Sequence, residues 1–303
     1  LRISMDVYEK LGIKKRINAA ACYTALGGSI MPSEGLASMV EASKSFISLH
    51  ELQQKAGEKI AQLTKNEGAY ITTGAAAGIV LSVLACRTRG NLVEIQKVID
   101  GTAEPSEVVM FAGQRIPYDA AVRLAGSHLI TVGDAIQTFD FQLEAAFNER
   151  TSALLFCAGS HLASPALTLE RTIELASKYK IPVIVDAAAQ LPPVSNLWHF
   201  THDLGADLAI FSGGKALRGP QSSGLIVGKH EFVEAVRANG APCRLAMGAC
   251  WRSCWARRWC RYRRRWCRCL REWWCRRRQL WWSTRRSCSL PRMLQLWRSG
   301  QLL

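Results

Sequence analysis

The sequence predicts an α/β protein: a mostly parallel sheet with helices on both faces. Two observations carry that expectation. Short apolar runs rich in Val, Ile, Leu and Phe recur between residues 69 and 229. Helix-like segments separate most of them, and apolar strands alternating with helices are the pattern of a covered, largely parallel sheet.

Taken in order, residues 1–30 hold a short helix-like start, VYEKLGIKK, and then RINAAACYTALGGS. Residues 33–66 read as two helices. In the second, Leu52, Ala56, Ile60 and Leu63 recur at helical spacing. From Ala69 a strand–turn–helix rhythm begins: AYI, then TTGAAAG, then a helix to Cys86. SEVVMFAG (106–113) is a strand followed by a helix over 118–125, and HLITVG (128–133) is a short strand. TSALLFCAG (151–159) is a strand followed by a helix over 168–179. IPVIVDAAA (181–189) and ADLAIFSGG (206–214) are further strands, and SSGLIVGK (222–229) reads as a strand that returns. No internal repeat is evident. Ligands in such sheets bind beyond the carboxyl ends of the strands.

Composition divides the chain. Hydrophobic residues make up 49% of its 303 residues, as in a globular protein. The N-terminal LRISMDVYEKLGIKKR has no apolar core of a signal peptide, and the most apolar stretch, AAAGIVLSVLAC (75–86), is too short to span a membrane. A soluble, cytosolic protein with no membrane partner is expected. The net charge of +15 is uneven: residues 243–303 hold 17 Arg, no Lys and one acid, so the rest of the chain carries −1. The same tail holds 8 of 11 Cys and 9 of 10 Trp.

Three readings of that tail compete. An arginine-rich nucleic-acid segment with stacking tryptophans is one. A metal module is another, but the tail has no His and no C-x-x-C pair. The third is an out-of-frame translation of a GC-rich gene, and the abrupt switch, the missing Lys and the Trp content fit it best. Nucleic acid is then not an expected partner, because residues 1–242 are near neutral. Their three cysteines, Cys22, Cys86 and Cys157, suggest a reducing compartment. The expected organisation is an N-terminal segment (1–30), a large domain (31–242) and the tail (243–303).

Four strand ends carry informative residues. After AYI comes Thr72-Thr73-Gly74-Ala75-Ala76-Ala77-Gly78, entering a helix. Small residues let backbone N–H groups approach an anion at a helix N-terminus; a tight turn is the plainer alternative. Asp186 ends an apolar strand, where a carboxylate needs a cationic partner or simply caps the next helix. Ala188, two residues on, is small enough to pack on a flat ring. Ser160 and His161 follow LLFCAG, and an isolated histidine is more often structural than catalytic. Ser212 and then Lys215 follow LAIF, where a lone lysine is otherwise a surface turn. Together these residues fit one cofactor. A phosphate loop, a carboxylate for a protonated pyridine nitrogen and an amine for a Schiff base are the protein half of pyridoxal-phosphate chemistry. The order agrees, with the lysine 29 residues after the aspartate.

The sequence resembles the fold-type-I pyridoxal-phosphate enzymes, in the branch of bacterial selenocysteine synthase and D-glucosaminate-6-phosphate ammonia-lyase. RINAAACYTALGGSIMP, ELQQKAGEKIAQLTKNEGAYITTGAAAG, QRIPYDAAVRLAG, VIVDAAAQLPP and SGGKALRGPQSSG carry the resemblance, across roughly residues 6–242. It implies that Lys215 is the Schiff-base lysine and that Asp186 pairs with the pyridine nitrogen. Ala188 would pack on one ring face, and Thr73, Gly74, Ala75 and Ser212 would contact the phosphate. Gln114 stands where the branch usually has a histidine stacked on the other face. Ser160 or His161 would reach the ring hydroxyl. Arg16, Asn18, Arg115 and Tyr118 are substrate-side candidates. The resemblance also implies a small C-terminal domain from about residue 230, whose place the tail largely takes.

The expected activity is a lyase: loss of the Cα proton to Lys215, departure of a β-hydroxyl, and hydrolysis to a keto acid and ammonia. An amino acid or amino-sugar acid is the expected substrate class, with Lys14, Lys15, Arg16 and Arg115 available for a phosphate. Selenium transfer onto seryl-tRNA is the alternative within the branch. A catalytically impaired cofactor binder and an arginine-rich nucleic-acid binder are the others. Family members are usually homo-oligomers with a shared site.

Overall fold

The computed structural model describes residues 6–159, 162 and 166–240. Seven strands form one sheet: β1 (Gly68–Thr72), β2 (Glu107–Phe111), β3 (His128–Val132), β4 (Thr151–Cys157), β5 (Val183–Asp186), β6 (Leu208–Ser212) and β7 (Gly224–Gly228). Their spatial order is β1-β7-β6-β5-β4-β2-β3. The pairs β2–β3, β2–β4, β4–β5 and β5–β6 are parallel, while β7 is antiparallel to both β6 and β1. β7 alone therefore runs against the other six, and it is the strand whose sequence reads as a return. The mostly parallel sheet is as expected.

Every residue of β2, β5 and β7 is buried, so both sheet faces are covered there. One face packs on α4 (Ala75–Thr88), a helix apolar almost all round with nine buried residues. The other face joins Val109, Phe111, Leu154, Phe156, Val185 and Phe211 to Leu143 of α7 (Asp140–Ala146) and Leu169 and Leu175 of α8 (Leu169–Lys178). α4 lies unusually close to the sheet. A Cβ added at Gly78 would stand 2.8 Å from Ile210 Cγ2.

Local signals set the remaining helices. Ser48 caps α3 (Leu49–Leu63) by accepting from Glu51 N, and Asn91 caps α5 (Leu92–Asp100), which Gly101 ends at φ +72°. α5 and α7 are additions to the sequence reading. The helix expected over 118–125 is a 3₁₀ turn, Pro117–Asp119, leading into the short α6 (Ala120–Leu124). Before β1 lie α1 (Val7–Lys10), capped by Asp6, and α2 (Ser33–Ala42), which has no buried residue. Residues 230–240 are helical. No helix among the described residues is long and apolar enough to cross a membrane.

Candidate active site

Because β1, β4, β5 and β6 run the same way, Gly74, Cys157, Asp186 and Ser212 reach one edge of the sheet. A cavity of about 370 Å³ opens there. Its wall includes Gly74, Ala75, Tyr118, Asp186, Ala188, Ser212 and Lys215, seven of the residues singled out from the sequence.

The α4 end supplies backbone donors. Gly74 precedes the helix at φ +124°, ψ 161°, a conformation that excludes most side chains, and the space its Cβ would occupy is open. No side chain caps the helix, so the first amides of a 14-residue helix face the cavity uncapped. Thr72 Oγ1 instead donates to Gly74 O at 2.9 Å and holds the turn.

Asp186 ends β5 with only 7% of its surface exposed. Oδ1 accepts from Ala188 N at 3.1 Å, and no ion pair reaches the carboxyl among the described residues. Burial pushes its pKa up; the Ala188 N–H and the positive charge of Lys215 oppose that only in part. The Lys215 ammonium also has no hydrogen-bond or ion-pair partner among the described residues. It lies in the connection that reverses the chain from β6 into β7, with Lys215 N donating to Ser212 O at 3.4 Å. One cavity thus holds an unpaired amine, a buried carboxyl with spare acceptor capacity and an uncapped helix start. The Cys157 thiol, also in the wall, is held protonated by burial.

Other expected site residues do not line this cavity. Thr73 is exposed. Gln114, expected on a ring face, is fully buried; its Oε1 accepts from Cys157 N at 2.9 Å and its Nε2 has no partner. It belongs to a neighbouring cavity of about 340 Å³, while the residues after it, Ile116, Pro117 and Tyr118, line the first. Arg115 is paired with Asp119 at 2.5 Å. Asn18 organises its own turn, accepting from Ala20 N and donating to Ala21 O, and Arg16 is exposed. Ser160 and His161 lie outside the described residues. Thr24, Gln190 and Gln221 join the wall without having been singled out. Thr24 and Gln221 sit inside the quoted motifs, beside glycines that turn the chain toward the site.

A family model described as SelA, L-seryl-tRNA selenium transferase, matches residues 50–246. The chain belongs to the L-seryl-tRNA selenium transferase family. The chain is also 34% identical over 238 residues to a D-glucosaminate-6-phosphate ammonia lyase of Salmonella typhimurium, covering 77% of this chain and 63% of that one. It is 32% identical to a 5′-C-glycyluridine monooxygenase-decarboxylase of a Streptomyces species, covering 76% and 58%. The solved structure of D-glucosaminate-6-phosphate ammonia-lyase superposes with a TM-score of 0.73 at 33% identity, over 79% of this chain and 64% of that one. The chain therefore spans about three fifths of the length of these relatives.

Proposed function

We propose that the protein is a pyridoxal-phosphate-dependent lyase that eliminates water from a β-hydroxy amino acid or amino-sugar acid and releases ammonia. The observation that carries this is the shared cavity of Lys215 and Asp186, each without an ion pair among the described residues, below the uncapped start of α4. The residues fit the cofactor. The amides of Ala75 and Ala76 and the Ser212 hydroxyl would hold its phosphate. Asp186 would take the pyridine nitrogen, Ala188 would lie against the ring, and Lys215 would hold the carbonyl carbon.

When bound, the cofactor supplies a covalent anchor for the substrate amine and a sink for the electrons left at Cα. Asp186 would keep a proton on the ring nitrogen, and that partner would offset the burial penalty on its carboxyl. Lys215, a few residues past the end of β6, would take the Cα proton as general base. Ile79, Ile116 and Pro117 in the wall limit water around that amine. The β-hydroxyl leaves with a proton as water, and hydrolysis of the eliminated product returns one water and gives a 2-keto acid and ammonia.

D-Glucosaminate 6-phosphate is the first substrate to test, on the strength of the identity and the superposition. The protein is mixed with pyridoxal phosphate and that compound, and ammonia and keto acid are measured together. Equal yields of both support the reading, and neither product argues against it. Selenium transfer is the second reading, favoured by the family model; the near-neutral charge of residues 1–242 speaks against tRNA as substrate. A cytoplasmic homo-oligomer completes the proposal. Its support is the apolar surface before β1, where Ile17, Ile30 and Phe46 are 99%, 86% and 108% exposed.

A further inference from the structure

The turn that carries Lys215 is held by a segment almost two hundred positions earlier in the chain. Ser29 N donates to Gly214 O at 2.9 Å. The Ser29 hydroxyl lies 2.7 Å from Lys215 O and 3.0 Å from Gly214 O, so it donates to either carbonyl. Arg218 Nε donates back to Ile30 O at 3.2 Å. With its amide nitrogen facing the two carbonyls, Gln221 donates to Gly27 O at 2.9 Å and to Gly214 O at 3.3 Å. Gly28, at φ +72°, fits between them because a Cβ there would collide with Gly214 O and the Gln221 amide.

The placement of this contact is informative. Among the described residues 6–56, Gly28 alone is buried. Before α3, which is itself tied to β1 by Gln53 Nε2 donating to Ile71 O, the chain lies over the surface and is fastened to the body of the protein at the lysine turn. The same segment places Thr24 in the cavity wall. Every hydrogen bond from Ser29 ends on one of the two carbonyls that flank the Lys215 N–H, so these bonds fix the peptide planes from which the side chain projects.

We infer that Ser29 is a positioning residue for Lys215, and that the segment 27–30 with Gln221 is a clip setting where the amine stands. The inference rests on the cofactor reading above. It gives Ser29, which does not line the cavity, an effect on chemistry. Misplacing a reacting group by about 1 Å costs up to roughly 10²-fold in rate, and a turn that loses its hydrogen bonds has that freedom.

The test compares the full chain with Ser29→Ala, Ser29→Thr and Lys215→Ala. Amide exchange is followed in the cofactor-free protein, and the pH midpoint of the visible band is followed after pyridoxal phosphate is added. Ser29→Ala is expected to speed exchange in the peptide 213–221 by roughly tenfold and leave a β4 peptide unchanged. It is also expected to move the pH midpoint by about half a unit. Ser29→Thr restores both. If Ser29→Ala does not fold, Gln221→Ala loosens the other side of the clip and is expected to give the same paired change. Unchanged exchange overturns the inference. Faster exchange with an unmoved midpoint also overturns it, since Ser29 then only braces the fold. A wild-type protein with no band that depends on Lys215 brings down the cofactor reading and the clip together. A Lys215-dependent band that no clip variant shifts brings down the clip alone.

Discussion

A carboxyl group buried at a strand end without an ion pair weakens a fold, and Asp186 is in that position. Desolvation raises its pKa above the unfolded value, near 3.9 for an ordinary aspartate. The sign follows from linkage. The fold is favoured by this group below the unfolded pKa, and that contribution is lost as pH rises through the folded pKa. In cofactor-free protein, Asp186→Asn is therefore expected to raise the melting temperature at pH 7, with the gain shrinking toward pH 4. With cofactor bound the order should reverse, because the ring nitrogen supplies the missing partner. Thermal melts across pH, with and without pyridoxal phosphate, check both signs. Seven expected residues do meet in one cavity; all but Tyr118, which lies in the turn Pro117–Asp119, sit at a strand end or within a few residues of one, and strand ends can be read from apolar runs. Gln114, Arg115 and Asn18 were not readable in this way. Their side chains follow partners that spacing does not reveal: the Cys157 amide, the Asp119 carboxylate and a local turn.

Among the elements, the start of α4 depends on how closely it meets β7. A Cβ added at Gly224 would stand 2.5 Å from the Gly74 carbonyl carbon and from Thr72 Oγ1, with backbone on one side that cannot swing away. Gly224→Ala should thus push the helix start outward and cost about 1–3 kcal/mol of stability. Weaker binding of inorganic phosphate and of pyridoxal phosphate should accompany the loss, as read by urea unfolding and by titration. An unchanged affinity at reduced stability would separate α4 from the phosphate site. All seven strands were readable as apolar runs, including the return of β7. The pairing order was not, since apolar runs do not say which neighbour they adopt. α7 was missed because its seven residues span only two turns; α5 was missed although Leu92, Ile95 and Ile99 recur at helical spacing, because it follows α4 with only a short break at residues 89–91.

On the scale of the whole molecule, charge and exposed apolar surface point in different directions. Residues 1–242 carry a net charge of −1, so their overall charge neither repels a second copy nor draws in nucleic acid at long range. The segment before β1 exposes Ile17, Ile30 and Phe46, and on α2 Leu36, Met39 and Val40, apolar side chains that association with a second copy would cover. Sedimentation is expected to show a dimer or higher oligomer. Ile30→Ser with Phe46→Ser should shift it toward monomer, with at least tenfold weaker association, about 1.4 kcal/mol. A wild-type monomer at all concentrations would contradict this.

Lys215 is where the three scales meet: a reactive amine, on a turn made by the one reversed strand, clipped by the exposed N-terminal segment. The most direct measurement is the absorption spectrum of the purified protein with pyridoxal phosphate, beside Lys215→Ala. A visible band in the wild type that vanishes in the variant is expected, together with a loss of about 10²–10⁴-fold in any lyase activity. No band in the wild type, or one that survives in Lys215→Ala, would contradict the assignment of this lysine as the cofactor's anchor.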